Sequence, residues 1–245
     1  MDFFMIPTNR MIRESHFTLM WKTQLWLAQC LMEDDVTLEH AEKLITTGTK
    51  VILDNGAYEG ALCDSDDYLS LIACLHPWCI VLPDLINTPP KISRVASLDF
   101  MARLKSIKFK GRMMYVPQGR TKEEVLGEFR WAIDSGVKWV YGLGKCYLHW
   151  GPDEEAREEF LKDVLAISRA KECEFHILGA RQTPTRVFSE RGCVIGIDTL
   201  KPVRKAYTRM GYKGRLNHAT AESISDAYIG EEVLNFIRAY GAKGL

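Results

Sequence analysis

The sequence carries no excess charge of either sign, because Lys+Arg and Asp+Glu each number 32. That balance argues against a general polycation such as an architectural DNA protein, and leaves room for a local basic face. There is no Cys-x-x-Cys pair and no Cys/His run at zinc-site spacing. The seven cysteines, Cys30, Cys63, Cys74, Cys79, Cys146, Cys173 and Cys193, are odd in number and scattered. They fit reduced core or near-core thiols, hence a cytoplasmic protein. The opening MDFFMIPTNR lacks the charged head, long apolar stretch and cleavage site of a signal peptide. No apolar run approaches the roughly 20 residues that span a bilayer, so no membrane partner is expected. Low-complexity linkers and exact repeats are absent as well.

What is present fits one large α/β domain over residues 1–245, with 47% apolar residues to build its core. Short apolar runs recur, each followed by a polar or glycine loop and then a helical segment. They are Phe3–Pro7, Val51–Asp54, Cys79–Asp84, Met113–Gln118, Trp139–Gly142, Glu174–Gly179 and Cys193–Asp198. Continuous runs of this length suit strands buried on both faces, as in a parallel sheet. Helices are expected between them. Thr121-Lys-Glu-Glu124 forms a capping box ahead of Val125, Leu126, Phe129 and Ile133, and that helix should stop before Gly136. Pro89-Pro90 suits a first helical turn with Thr88 as cap, followed by Ile92, Val95, Phe100 and Leu104. Asp153 to Ala170 has acids early and bases late, as the helix dipole prefers. Strand–helix alternation implies right-handed parallel units. Seven strands plus one more give an expected (β/α)8 TIM-like barrel, irregular at its N-terminal strands. His16–Met20 either supplies the eighth strand or begins a long helix through Leu31.

Polar residues cluster at the ends of these runs. Asp54-Asn-Gly-Ala-Tyr58, Pro83-Asp84, Pro117-Gln118-Gly119, Gly142-Leu-Gly144, Leu178-Gly-Ala180 and Gly196-Ile-Asp198 each close a strand. In a parallel barrel these C-terminal ends meet on one face, where active sites are built. An Asp after a strand is often only a helix cap or turn residue, and a glycine often only serves a tight turn. Recurrence at successive strand ends is what points further. Three carboxylates and an amide at one mouth suit substitution at a sugar anomeric carbon. One carboxylate attacks and holds a covalent glycosyl intermediate, and a second moves protons on the leaving and entering base. The third, with the amide, hydrogen-bonds along a purine edge.

In their order these motifs resemble the queuine/archaeosine tRNA-guanine transglycosylases and their DNA-modifying relatives, the compact DpdA-type enzymes of phages. Leu53-Asp-Asn-Gly-Ala-Tyr58 is similar to that superfamily's Asp-Ser-Gly-Gly-Phe-Gln, and Leu82-Pro-Asp-Leu85 to the strand bearing its base-recognising Asp. Val116-Pro-Gln-Gly119 resembles Val-Gln-Gly-Gly, and Tyr141-Gly-Leu-Gly144 resembles Gly-Gly-Leu-Ala. His176-Ile-Leu-Gly-Ala180 with Thr183-Pro184 resembles Leu-Met-Gly-Val-Gly-Thr-Pro, and Gly196-Ile-Asp198 the Gly-Ile-Asp of the nucleophile strand. The matches cover about residues 50 to 204. The resemblance implies Asp198 as nucleophile and Asp54 as general acid/base. It implies base binding by Asp84 and Gln118, with backbone at Gly142, Leu143 and Gly144, stacking by Tyr58, and a pocket floor from Leu178 and Gly179. It implies guanine exchange for a free 7-deazaguanine such as preQ0, without a cofactor, in the host cytoplasm for a phage-encoded chain. The tRNA enzymes carry a Cys-x-Cys-x-x-Cys…His zinc site after the nucleophile. No cysteine follows Asp198 here, so no metal is expected and DNA is the expected polymer, with tRNA as the alternative.

Residues 200–245 read as a basic segment and a C-terminal helix. Lys201, Arg204, Lys205, Arg209, Lys213 and Arg215 fall within 15 positions, with Tyr207 and Tyr212 interleaved. With Arg181 and Arg186 they suit a phosphate-backbone grip beside the nucleophile. A second basic run, Arg103, Lys105, Lys108, Lys110 and Arg112, reads more readily as a solvated face. Competing functions are a shortened tRNA enzyme, a hydrolytic N-glycosylase or nucleoside-processing barrel, a retaining glycoside hydrolase, and an inert nucleic-acid-binding barrel.

Overall fold

A computed structural model describes residues 2–7, 22–57, 60, 62–144, 153–168, 173–179 and 194–199. Among the described residues eight strands run in chain order: β1 Asp2–Met5, β2 Thr23–Leu27, β3 Lys50–Asp54, β4 Cys79–Val81, β5 Arg112–Tyr115, β6 Val140–Leu143, β7 Glu174–Ile177 and β8 Val194–Thr199. Every neighbouring pair is parallel, and β1 pairs with β8 as well as with β2, so the sheet curls back onto its first strand. The β1–β2 seam is thin, with Met5 opposite Gln24 as its one register pair. Among the described residues six helices lie between β2 and β7: α1 Ala28–Met32, α2 Asp35–Thr46, α3 Ser65–Leu75, α4 Pro90–Leu104, α5 Lys122–Asp134 and α6 Asp153–Ser168. The architecture is therefore α/β, with an all-parallel curled sheet of TIM-like form. Residues 8–21, 180–193 and 200–245, which follow β1, β7 and β8, lie outside the described residues. Among the described residues no helix is long and apolar enough to cross a membrane.

The period-2 alternation of strand side chains divides the core in two. Phe4, Leu25, Ile52, Cys79, Val81, Met114, Val116 and Val140 pack together inside the curl. Their neighbours in sequence, including Trp26, Val51, Leu53, Ile80, Leu82, Tyr115, Tyr141, Phe175 and Ile177, pack outward against the helices. Both strand faces are thus apolar, which is why the runs read as continuous rather than alternating. Burial pushes the Cys79 thiol inside the curl up to about 12, so it stays an inert core group. Cys173 is also buried, Cys30 and Cys63 are half-buried, and Cys74 is exposed with its thiol 2.6 Å from Glu42 Oε1. Cys146 and Cys193 lie outside the described residues.

Three local expectations are corrected. A strand stands at Thr23–Leu27, inside the stretch expected to be helical through Leu31; among the described residues there, the helix covers Ala28–Met32. His16–Met20 lies outside the described residues. Thr-Gln-Leu-Trp-Leu satisfies either periodicity over so short a span, and pairing with β3 over five registers decides it. Thr88 does not cap α4, since its hydroxyl donates to Leu85 O at 2.6 Å and Pro89 takes the cap position. Ile92 and Val95 face solvent, at 52% and 57% exposure, while α4 buries Ser93, Ser97, Phe100 and Leu104. The helix is turned because its small polar residues brace the loop after β4. Ser97 Oγ donates to Pro83 O at 2.8 Å, and Ser93 Oγ accepts from Leu85 N at 3.2 Å. The α5 cap is as expected: Thr121 Oγ1 accepts from Glu124 N at 3.2 Å, and the helix ends at Asp134.

Candidate active site at the strand ends

Because all strands are parallel, the C-terminal ends of β3, β4, β5, β6 and β8 share one end of the sheet, and the residues that follow them assemble there. Asp54 closes β3 half-buried, and its Oδ1 accepts from Gly56 N at 2.9 Å. Gly56 has φ of 79°, a left-handed conformation that Gly adopts without strain. The turn brings Ala57 N back to Asn55 Oδ1 at 2.8 Å.

Asp84 and Gln118, read as a base-recognition pair, are brought into direct contact. Both are buried, at 8% and 3% exposure. Gln118 Nε2 donates to Asp84 Oδ2 at 2.9 Å. The other carboxylate oxygen, Oδ1, accepts from Asn55 Nδ2, also at 2.9 Å. Gln118 Oε1 is a buried acceptor with no hydrogen-bond partner among the described residues. Buried acceptors left this way are uncommon in folded proteins and mark places where a ligand or water completes the set.

Tyr68 of α3 underpins this end of the sheet. Its hydroxyl lies 2.8 Å from Leu53 O and 3.0 Å from Val81 O, tying β3 to β4 one residue before Asp54 and three before Asp84. Burial, then the charge of Asp54 and more weakly that of Asp84, hold its pKa well above the usual tyrosine value. Both carboxylates therefore act on the same phenol from neighbouring strand ends.

On the far side of the curl, Gly142 of β6 sits against the interior core. A methyl group there would lie 2.7 Å from Val116 Cγ2 and 3.0 Å from Met114 Sδ. At half-buried Gly144 it would meet Val116 Cγ1 at an ordinary 3.7 Å. The Leu143 side chain belongs to the outer core, and its carbonyl accepts from Leu178 N at 3.1 Å. Leu178 packs on the interior cluster, and Gly179 turns the chain with φ of 60°. Gly119, next to Gln118, admits α5: a methyl there would lie 2.8 Å from Glu124 Cβ and 2.9 Å from Val125 N.

The backbone of Asp198 lies in β8, in register with Phe4 of β1, at the same end of the sheet as Asp54. Its side chain lies outside the described residues, as do Tyr58, Arg181, Arg186, Lys201, Arg204, Lys205, Arg209, Lys213 and Arg215. The second basic run connects α4 to the start of β5, at the opposite end of the strands. Arg103 pairs with Asp66, Arg112 pairs with Glu174, and Lys105, Lys108 and Lys110 are exposed. That run is a solvated face away from the candidate site.

Two residues went unread in the sequence. Asn55 has no role in the sequence reading beyond its place after Asp54, yet it is 1% exposed and bonded to Asp84. His176 of β7 is fully buried inside the curl, edge-on to Phe4 at 5.3 Å, and in register with Gly142 on one side and Gly196 on the other. A methyl at Gly196 would fall 2.6 Å from Phe4 Cε2 and 2.7 Å from His176 Nδ1. The glycine of the Gly-Ile-Asp motif thus makes room for these two rings.

In comparison with known proteins, no family model matches the chain, and no curated protein matches it. The motifs and their placement are what speak to function.

Proposed function

We propose that the whole chain is a (β/α)8 TIM-type barrel that exchanges guanine in DNA for a free 7-deazaguanine such as preQ0. The observation that carries this reading is the buried Asp84–Gln118 pair with its unmet acceptor, beside Asp54 at the strand ends. An ionised carboxylate and an amide carbonyl side by side complement the N–H and amino donors of a guanine edge. Helix capping explains neither, since α4 after Asp84 takes no side-chain cap and α5 after Gln118 is capped by Thr121.

In the proposed reaction the target nucleotide leaves the stack. Asp198 attacks C1′, the C1′–N9 bond breaks, and its electron pair leaves with guanine, which takes a proton from Asp54. The incoming base gives its N9 proton to Asp54 and attacks C1′, and the bond to Asp198 breaks. The basic residues between positions 201 and 215, with Arg181 and Arg186, would hold phosphates.

The test is covalent trapping. Wild-type protein and guanine-containing DNA are expected to give an adduct that survives denaturing electrophoresis, and Asp198→Asn is expected to give none with its fold intact. An undiminished adduct in the variant removes Asp198 as nucleophile. Free guanine released without any base entering would move the reading to a hydrolytic N-glycosylase.

A further inference from the structure

We propose that Asn55 is a positioning residue: it holds Asp84 as a carboxylate accepting on both oxygens, and through Asp84 it sets which end of the Gln118 amide is left for a ligand. The ligand's identity rests on the base-exchange reading above. The clamp itself rests on hydrogen bonds alone.

The orientation of the Asn55 amide follows from its backbone partners. Its Nδ2 lies 2.9 Å from Leu82 O, a group that only accepts, and its Oδ1 lies 2.8 Å from Ala57 N, a group that only donates. The NH2 end therefore faces Asp84 whatever Asp84 does, and Asp84 Oδ1 must accept. Gln118 Nε2 occupies Oδ2. A carboxyl with an amide donor on each oxygen is arranged as the ionised form prefers. With the NH2 end of Gln118 turned to Asp84, its carbonyl end faces away, and Oε1 is the buried atom without a partner among the described residues. The site thus presents oxygens, those of the Asp84 carboxylate and Oε1 of Gln118, and selects a planar edge bearing adjacent N–H donors.

The same dipeptide serves both halves of the site. Asp54 is the proton-transfer candidate, Asn55 locks the recognition carboxylate, and Gly56 turns the chain so that Ala57 N seals the Asn55 amide. The bond to Leu82 O also ties the end of β3 to the end of β4, where Tyr68 makes its own bridge.

Asn55→Asp tests this, because it keeps the shape and exchanges the donor for an oxygen. At low pH the new carboxyl carries a proton that it donates to Asp84. As pH rises, two adjacent carboxyls resist ionising together. Among the described residues, the titratable groups bordering the pair are Asp54 on β3, Tyr68 on α3 and Cys63, whose backbone N donates to Asn55 O; burial holds both the phenol and the thiol neutral across this range. The melting-temperature deficit of the variant against wild type is expected to be about 5 °C or more larger at pH 8 than at pH 5. Burial of the new carboxyl beside Leu82 O enlarges the deficit with pH by itself, so the same melts on Asn55→Asp in an Asp84→Asn background measure that part, and a pH-dependent excess no larger with Asp84 present than without it overturns the clamp.

Dialysis against labelled guanine is the second arm. The variant is expected to bind about tenfold more weakly than wild type at pH 8 and to recover toward it at pH 5. Wild-type affinity at pH 8 would overturn the proposal. If wild type itself takes up no guanine, the base-exchange reading fails, and the melting arm still judges the clamp. Should Asn55→Asp unfold at both pH values, Asn55→Ser keeps one donor but not the two-handed grip. It is expected to bind guanine about tenfold more weakly at both pH values, and unchanged affinity would overturn the clamp.

Discussion

Replacing Asp84 by Asn alters one atom and one charge, and the network around it dictates the consequence. Asn55 cannot turn over, because Leu82 O and Ala57 N hold its amide. The amide introduced by Asp84→Asn must therefore present its oxygen to Asn55 and its NH2 to Gln118. Gln118 then has to turn, accepting with Oε1 and leaving Nε2 where the unmet acceptor stood. The site loses its charge and gains a donor where a donor must bind. Hydrogen bonds to a charged group contribute about 1.5–3 kcal/mol each. Losing two of them costs about 3 kcal/mol or more, which is over 100-fold in affinity. Folding stability should move far less, within about 1 kcal/mol in either direction. Weaker neutral hydrogen bonds are offset by no longer burying a charge, whose desolvation costs several kcal/mol. Isothermal titration with guanine and a thermal melt on the same samples give both quantities. Guanine affinity within threefold of wild type would refute the assignment of Asp84 to recognition. A large stability loss with unchanged affinity would make the carboxylate a structural group.

Away from the mouth, Glu128 of α5 has a fully buried side chain. It accepts from Arg94 Nε at 2.9 Å, from Arg94 Nη2 at 2.5 Å and from the Tyr115 hydroxyl. Arg94 also stacks over Trp131 at 4.1 Å. Glu128→Ala is expected to cost about 3–5 kcal/mol, roughly 10 °C in melting temperature, and a loss under about 1 kcal/mol would contradict that reading of the cluster. Tyr68, Tyr115 and Tyr141 are held above the ordinary tyrosine value, first by burial in each case. Unfolded chains ionise these phenols near pH 10 and the folded protein does not. The stability they contribute is therefore complete below about pH 10 and falls above it, by about 1.4 kcal/mol per pH unit per group. Tyrosinate absorbance should rise together with loss of the fold; three of these groups ionising near pH 10 in an intact fold would contradict the burial argument.

Most of the sheet was readable because strands buried on both faces leave continuous apolar runs, as Lys50–Asp54 and Cys79–Val81 do. β2 was hidden because its five residues follow the apolar Phe17-Thr-Leu-Met-Trp21 without a glycine or proline break, run into a helical turn and satisfy both periodicities. The buried face of α4 was misread because Ser93 and Ser97 make hydrogen bonds to the β4 loop, and hydropathy alone assigns that face to Ile92 and Val95. At the site, Asp84 and Gln118 were legible as polar groups ending neighbouring strands. Asn55 was not, because Asp-Asn-Gly is also a turn signature. The signal available was its position next to a strand-ending Asp, where a second polar side chain has to find buried partners. His176 could have been suspected from Gly196, which opens space for its ring on the flanking strand. No rule of sequence spacing says which strands flank it.

Incubating wild-type protein with labelled guanine and either duplex DNA or tRNA, with and without preQ0, tests base exchange most directly. The account predicts that label enters DNA, that preQ0 suppresses its entry, and that Asp198→Asn incorporates none. No label in either polymer, or wild-type incorporation by Asp198→Asn, would contradict it.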